Sequence, residues 1–208
     1  GGGLGNGGGM STTGNQGTIN LTNSTISGNH ADTNGGGIYF VTPGAGTGNA
    51  TLNNVTITDN TADNDNNGTG AGGGFAQNTA AITLRNTIIA GNFNSLSSVR
   101  DDISGAVVAA SSYNLIGDGT GSSGFVDGVN GDIVGTRRVP VDAKLGPLAD
   151  NGGYTHTHLP SWGSLAIDGG DPAGYFTRDQ RGLERPYGFA PDLGAVEVRY
   201  LFMGDVGK

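Results

Sequence analysis

The chain has 208 residues, with 42 Gly, 7 Pro and no Cys; 13% of residues are charged, 34% are hydrophobic, and the formal net charge is −8. These figures exclude collagen, which needs a strict Gly-x-y period, and they exclude disulfide scaffolds and cysteine metal sites. They count against a disordered chain, which combines high charge with little apolar content, against nucleic acid as partner, because an acidic surface repels phosphates, and against a membrane-spanning helix, because no apolar run approaches the ~20 residues required.

The first element from the N-terminus is Gly7-Gly8-Gly9-Met10. It returns as Gly35-Gly36-Gly37-Ile38 and as Gly72-Gly73-Gly74-Phe75. The chain thus opens inside a repeat and reads as a processed or trimmed piece of a larger protein. Each glycine marker precedes one copy of a second segment. The copies run Ile19 to Asn29, Ala50 to Asn60 and Ile82 to Asn92, and they align without gaps as apolar-x-Leu-x-Asn-x-x-Ile-x-x-Asn. The leucines Leu21, Leu52 and Leu84 set the spacing at 31 and 32 residues. Loops of unequal length lie between marker and segment, including Pro43 to Asn49 and Asp63 to Thr69.

Within each copy the apolar positions alternate with period two, which is the period of a strand. Thr, Ile and Val fill those positions, and β-branched residues suit a pleated surface. Each repeat then supplies about three short strands broken by Asn or Gly. No segment before residue 140 reads as a helix. The expected fold is all-β: a right-handed parallel β-helix, or solenoid, over residues 1–144, followed by a loop-rich capping segment of the same domain over 145–208.

The central asparagines Asn23, Asn54 and Asn86 fit tight corners, because Asn tolerates left-handed backbone better than most residues. Stacked corners predict an amide ladder through these three, with strands roughly 4.8 Å apart. Leu21, Leu52 and Leu84 should form one interior column, and Ile26, Ile57 and Ile89 another. Asn20, Asn23, Asn49, Asn54 and Asn67 also match the glycosylation acceptor pattern. In a chain this rich in Asn and Thr that match arises by chance, so Asn23 and Asn54 are read as structural turns.

Beyond residue 93 the repeat degrades. Asp101-Asp102-Ile103 with Ser112 to Gly117 reads as one more turn of the helix, and Phe125 to Val139 as another. Terminal repeats are expected to depart from the pattern because they must cover the open core.

From residue 145 the texture changes. Leu145-Gly146-Pro147-Leu148-Ala149-Asp150-Asn151-Gly152-Gly153 leads through His156 and His158 to Ser164-Leu165-Ala166-Ile167-Asp168-Gly169-Gly170-Asp171. Asp179-Gln180-Arg181-Gly182, Arg185-Pro186 and Asp192-Leu193-Gly194-Ala195-Val196-Glu197 follow. This ordered string, with Tyr113 to Gly119 upstream, resembles the Q type of the bacterial choice-of-anchor β-helix family. The glycine and Leu/Asn repeats resemble the pectate-lyase-like helix that precedes it there. Tyr154, Leu165 and Val196 depart conservatively from the family pattern. The resemblance implies a secreted or surface-attached bacterial protein whose anchoring signal varies between members. Read physically, Asp179, Arg181, Arg185 and Asp192 fit a segment that folds back to cap the last repeat, with arginine forks bonding carboxylates and carbonyls.

A catalytic site on the strand faces would need clustered charge. Carboxylates at equivalent positions of adjacent repeats would lie ~5 Å apart, near the separation in retaining glycosidases. The repeats hold only Asp59, whose equivalents are Gly28 and Gly91, and Arg85, whose equivalents are Thr22 and Asn53. Adjacent Asp101 and Asp102 point to opposite faces of a strand. Asp63 and Asp65 offer a weak Ca²⁺ site, and His156 with His158 a metal pair lacking a third ligand. No catalytic residue is assigned and no cofactor is required. The preferred reading is a non-enzymatic extracellular or cell-surface module, structural or adhesive, open to end-to-end assembly into filaments. Its partners would be copies of itself or surface and matrix glycans. Two alternatives stay open: a polysaccharide lyase or hydrolase, which needs an outward cluster of Asp, Arg and Lys on three adjacent repeats, and a carbohydrate-binding module with exposed aromatics such as Tyr39, Phe40, Phe75 and Phe93 in a row.

Overall fold

A computed structural model describes residues 5–12, 18–41, 48–78, 81–95 and 99–199. Fourteen strands are present among them: β1 (Met10–Thr12), β2 (Thr18–Ser27), β3 (Ile38–Phe40), β4 (Asn49–Thr58), β5 (Thr61–Ala62), β6 (Phe75–Gln77) and β7 (Ala81–Arg85). They continue as β8 (Ile88–Ile89), β9 (Phe93–Asn94), β10 (Val99–Arg100), β11 (Ile103–Ala106), β12 (Leu115–Ile116), β13 (Ser122–Ser123) and β14 (Ile133–Val134). The described residues are all-β, without a helix; the strands pair in parallel except β9 with β10, and isolated antiparallel bridges join Leu145 to Pro160, Ala149 to Thr157 and Arg178 to Glu184.

Three sheets hold these strands. The first runs β1-β3-β6-β11-β13, the second β10-β9-β5, and the third β14-β12-β8-β4-β2 with β7 also on β4. Every glycine marker delivers its strand to the first sheet, where Met10, Ile38, Phe75 and Ile103 align in turn. Every Leu/Asn segment enters the third, where Leu21 pairs Leu52 and Leu52 pairs Leu84. Ile26 pairs Ile57, and Ile57 pairs Ile89. The degenerate stretch joins the same rows, with Leu115 between Ile88 and Ile133.

The glycine runs have a steric cause. Gly35 and Gly72 have φ of 66° and 67°, a region open to Gly at no cost. A Cβ on Gly73 would stand 2.1 Å from the Phe93 carbonyl oxygen. The marker therefore runs backbone against backbone beside the second sheet, where any side chain would collide.

Between the sheets lies a core of Ile38, Phe40, Leu52, Val55, Ile57, Phe75, Ile82, Leu84, Ile89 and Ile103, with Phe125 and Val134 packed against it. A second apolar cluster lies elsewhere. Ile88, Ala90 and Leu115 pack with Ala143, Ala166 and Leu193. Among the described residues the C-terminal segment, read from sequence as a cap, lies along the flank of the third sheet and reaches from Leu115 back to Asn23. The physical reason is the outward column Thr25, Thr56, Ile88, Leu115, Ile133: its later members are apolar and need covering, and Leu193 and Ala166 cover them. Residues 200–208 of the expected cap, and most of the loop read at Pro43 to Asn49, lie outside the described residues.

Candidate functional site

The central asparagines hold left-handed backbone, with φ of 45° at Asn23, 56° at Asn54 and 49° at Asn86. They do not form the expected amide ladder. Asn23 Nδ2 donates to the Arg178 carbonyl at 2.8 Å, Asn54 Nδ2 to that of Gly194 at 3.3 Å, and Asn86 Nδ2 to that of Gly174 at 3.0 Å. Asn86 Oδ1 accepts the Asp171 amide, and Thr56 Oγ1 accepts that of Ala195. The cause is the flanking segment itself. It has few strand partners, so its buried backbone groups must be bonded by side chains. The corner asparagines meet that demand.

The ladder runs instead through the last asparagine of the pattern. Asn29 Nδ2 donates to Asn60 Oδ1 at 2.9 Å, Asn60 Nδ2 to Asn92 Oδ1 at 2.9 Å, and Asn92 Nδ2 to Asp102 Oδ1 at 2.8 Å. The backbone amide of each asparagine donates to that same oxygen. A second ladder passes from Thr87 to Asn114 to Asp132. Each ends on an aspartate, and chemistry explains why. The terminal member must accept two N–H groups, and a carboxylate accepts without having to donate. Asp102 Oδ2 then takes the Asp118 amide at 2.7 Å. Burial pushes the carboxyls of Asp102 and Asp132 up to about 6, against the pull of these hydrogen bonds.

In the C-terminal segment Asp179, Arg181, Arg185 and Asp192 lie in one network. Asp179 Oδ2 takes Nε and Nη2 of Arg181 at 2.9 and 2.8 Å and the Glu197 amide at 2.9 Å. Arg181 also donates to the Glu197 carbonyl. Arg185 donates to the carbonyls of Asp192 and Gly194, and its Nε lies 3.7 Å from Glu197. Asp192 receives the amides of Asp168 and Val198, while Glu197 receives those of Tyr187 and Asp192. Burial, reinforced by the Glu197 charge, raises the Asp192 carboxyl to about 7. Burial likewise raises Glu197 and lowers Arg185. Glu197 is the buried partner that sequence reading missed, although it closes the motif that begins at Asp192.

The remaining candidates are placed separately. Asp63 Oδ1 accepts the amides of Asn67 and Gly68, and Asp65 Oδ2 accepts Asn67 Nδ2, so both carboxylates serve their own loop. Among the described residues no group of three or more His, Cys, Asp or Glu is placed to hold a metal. His158 is buried and His156 exposed. Phe40 and Phe75 are core residues with ring centroids 5.6 Å apart, so these two are not part of an exposed aromatic row. Among the described residues the exposed aromatics are Tyr154, Trp162, Phe176, Tyr187 and Phe189, all of the C-terminal segment. On the outer face of the third sheet, the aligned sets are Thr18, Asn49 and Ala81, then Asn20, Thr51 and Thr83, then Thr22, Asn53 and Arg85. Arg85 is the one charge on these nine positions, which does not amount to a catalytic cluster. Among the described residues no helix is long and apolar enough to cross a membrane. No protein-family model, curated protein or solved structure matches the chain.

Proposed function

We propose that the chain is a right-handed parallel β-helix of the choice-of-anchor kind, acting outside the cell as a rigid, non-enzymatic structural or adhesive module. The observation that carries this reading is the in-register parallel pairing of successive repeats, with Leu21, Leu52 and Leu84 in one row and the asparagine ladder beside it. Such an arrangement spends its polar side chains on holding shape and leaves an outer strand face of Thr and Asn that carries one charge, Arg85, on its nine aligned positions. The convergence of Asp179, Arg181, Arg185, Asp192 and Glu197 supports the family resemblance, because the motif residues that suggest it serve one docked segment.

End-to-end assembly belongs to the same reading. β1 and β2 are the terminal strands of their sheets, and Met10, Ile19, Leu21 and Ile26 there are only partly buried. Edges of this kind template further strands, whether of another copy or of preceding repeats. Negative-stain microscopy together with a glycan array tests the proposal. Fibres of regular axial repeat, or binding to surface glycans, support it. Release of unsaturated or reducing sugar ends from a polysaccharide panel overturns it in favour of an enzyme. Single particles that bind no glycan remove both the assembly and the adhesive role.

A further inference from the structure

The C-terminal segment does not seal against the repeats along its whole length. Between the corner at Asp59 and the stretch 142–146 lies a cleft of about 200 Å³. Asp59, Arg100, Asp142, Lys144 and His158 line it, with Phe93 at one wall. Arg100 lies over the Phe93 ring, 5.7 Å from its centroid. His158 is held firmly: its Nδ1 donates to the Gly146 carbonyl at 2.7 Å, and its Nε2 is hydrogen-bonded to Ser27 Oγ at 2.8 Å. Asp59 Oδ2 stands 3.9 Å from that Nε2.

Two of these residues hold backbone that glycine would hold more easily. Asp59 has φ of 57° and Lys144 φ of 47°. The positions equivalent to Asp59 in the flanking repeats are Gly28 and Gly91. Asp and Asn accept this region more readily than most residues, and a lysine there is uncommon. Here two such residues of opposite charge line one cleft, one from the repeats and one from the C-terminal segment. Neither Arg100 nor Lys144 is in an ion pair among the described residues.

We propose that this cleft binds one neutral sugar ring of a glycan, held by Asp59 and Asp142 as acceptors and by Arg100 and Lys144 as donors. The inference rests on the adhesive reading above and names its site. Charge balance selects the ligand class. Two carboxylates disfavour a simple anion, and two cations disfavour a simple cation. A hydroxyl both donates and accepts, so a polyol satisfies both pairs at once. The volume falls below the ~300 Å³ at which sites for drug-sized ligands begin, which suits a single ring.

The test is saturation-transfer NMR on the whole chain with glucose, galactose, mannose and N-acetylglucosamine, with glycine and methyl phosphate as charged probes whose C–H protons report binding. At least one sugar should receive saturation and the charged probes none. Asp59→Gly and Lys144→Gly should each weaken sugar binding about tenfold, the effect of losing one charged hydrogen bond. Both substitutions place Gly at a positive φ, so melting temperatures should hold and a lost signal cannot be blamed on unfolding. No saturation of any sugar, saturation unchanged in both variants, or a preference for glycine or methyl phosphate would overturn the site. Glycan-array binding that survives both substitutions overturns the cleft and leaves the adhesive reading standing. Sugar saturation lost in the variants, with no array binding by the intact chain, supports the cleft and removes adhesion.

Discussion

At the residue scale, one amino acid type serves two distinct purposes. The corner asparagines answer a backbone demand and a docking demand together, so substitutions can separate the two. Asn54→Gly keeps the left-handed conformation and loses only the amide bonds to Asp192 and Gly194. Asn54→Ala loses both, and should unfold at lower denaturant by about 1 kcal/mol more than the glycine variant. The ladder asparagines behave differently. Asn60 is fully buried and bonds to Asn29, Asn92 and the Thr58 and Ile26 carbonyls. Asn60→Ala strands several buried donors and acceptors and should cost about 2–4 kcal/mol in equilibrium unfolding. A cost below that of Asn54→Ala would contradict the ladder's structural weight.

At the element scale, the strands of the third sheet carry one face inward, and beyond the corner asparagines the other face lies beneath the C-terminal segment. Ile88-Ile89 shows this in the sequence, since the earlier repeats read Thr25-Ile26 and Thr56-Ile57. Thr56 is already buried there and accepts the Ala195 amide, so the extra isoleucine marks where the covered outer face turns apolar. Leu193 is buried against that face. Leu193→Ala should cost about 2–5 kcal/mol. It should also expose the segment first, so limited proteolysis should cut between residues 160 and 199 before it cuts the repeats. Early cleavage within β4 instead would mean that segment and repeats unfold as one. The repeat spacing, the strand rows and the Leu and Ile columns were all legible in advance, because period-two alternation repeated at 31 and 32 residues leaves few other pairings. The route of the segment was not legible. Its motifs have no strand periodicity, and a resemblance names residues without saying what they touch.

At the scale of the whole molecule, the buried carboxylates set a pH dependence. Asp102 and Asp132 are raised to about 6 and Asp192 to about 7, from an ordinary value of 3.8. Between those limits the folded chain binds more protons than the unfolded one, so stability falls as pH rises. The contribution is complete below about pH 4 and is lost as pH climbs through 6 to 7. The melting temperature should therefore be higher at pH 5 than at pH 8, and the net charge of −8 acts in the same direction. Asp132→Asn should shrink the difference between the two pH values. A melting temperature that rises from pH 5 to pH 8 would place these carboxylates in more polar surroundings than the fold gives them.

The sequence by itself determined the strand class, the repeat and the interior columns, because alternation and spacing are local properties written into every copy. It also marked the left-handed corners, since few residues besides Asn and Gly accept that backbone. Only the tertiary structure decided which asparagines bond to one another, that two aspartates end the ladders, and that the C-terminal segment lies along the flank. Those outcomes depend on which buried N–H and C=O groups lack a partner once the chain has come together, and no window of sequence contains that information.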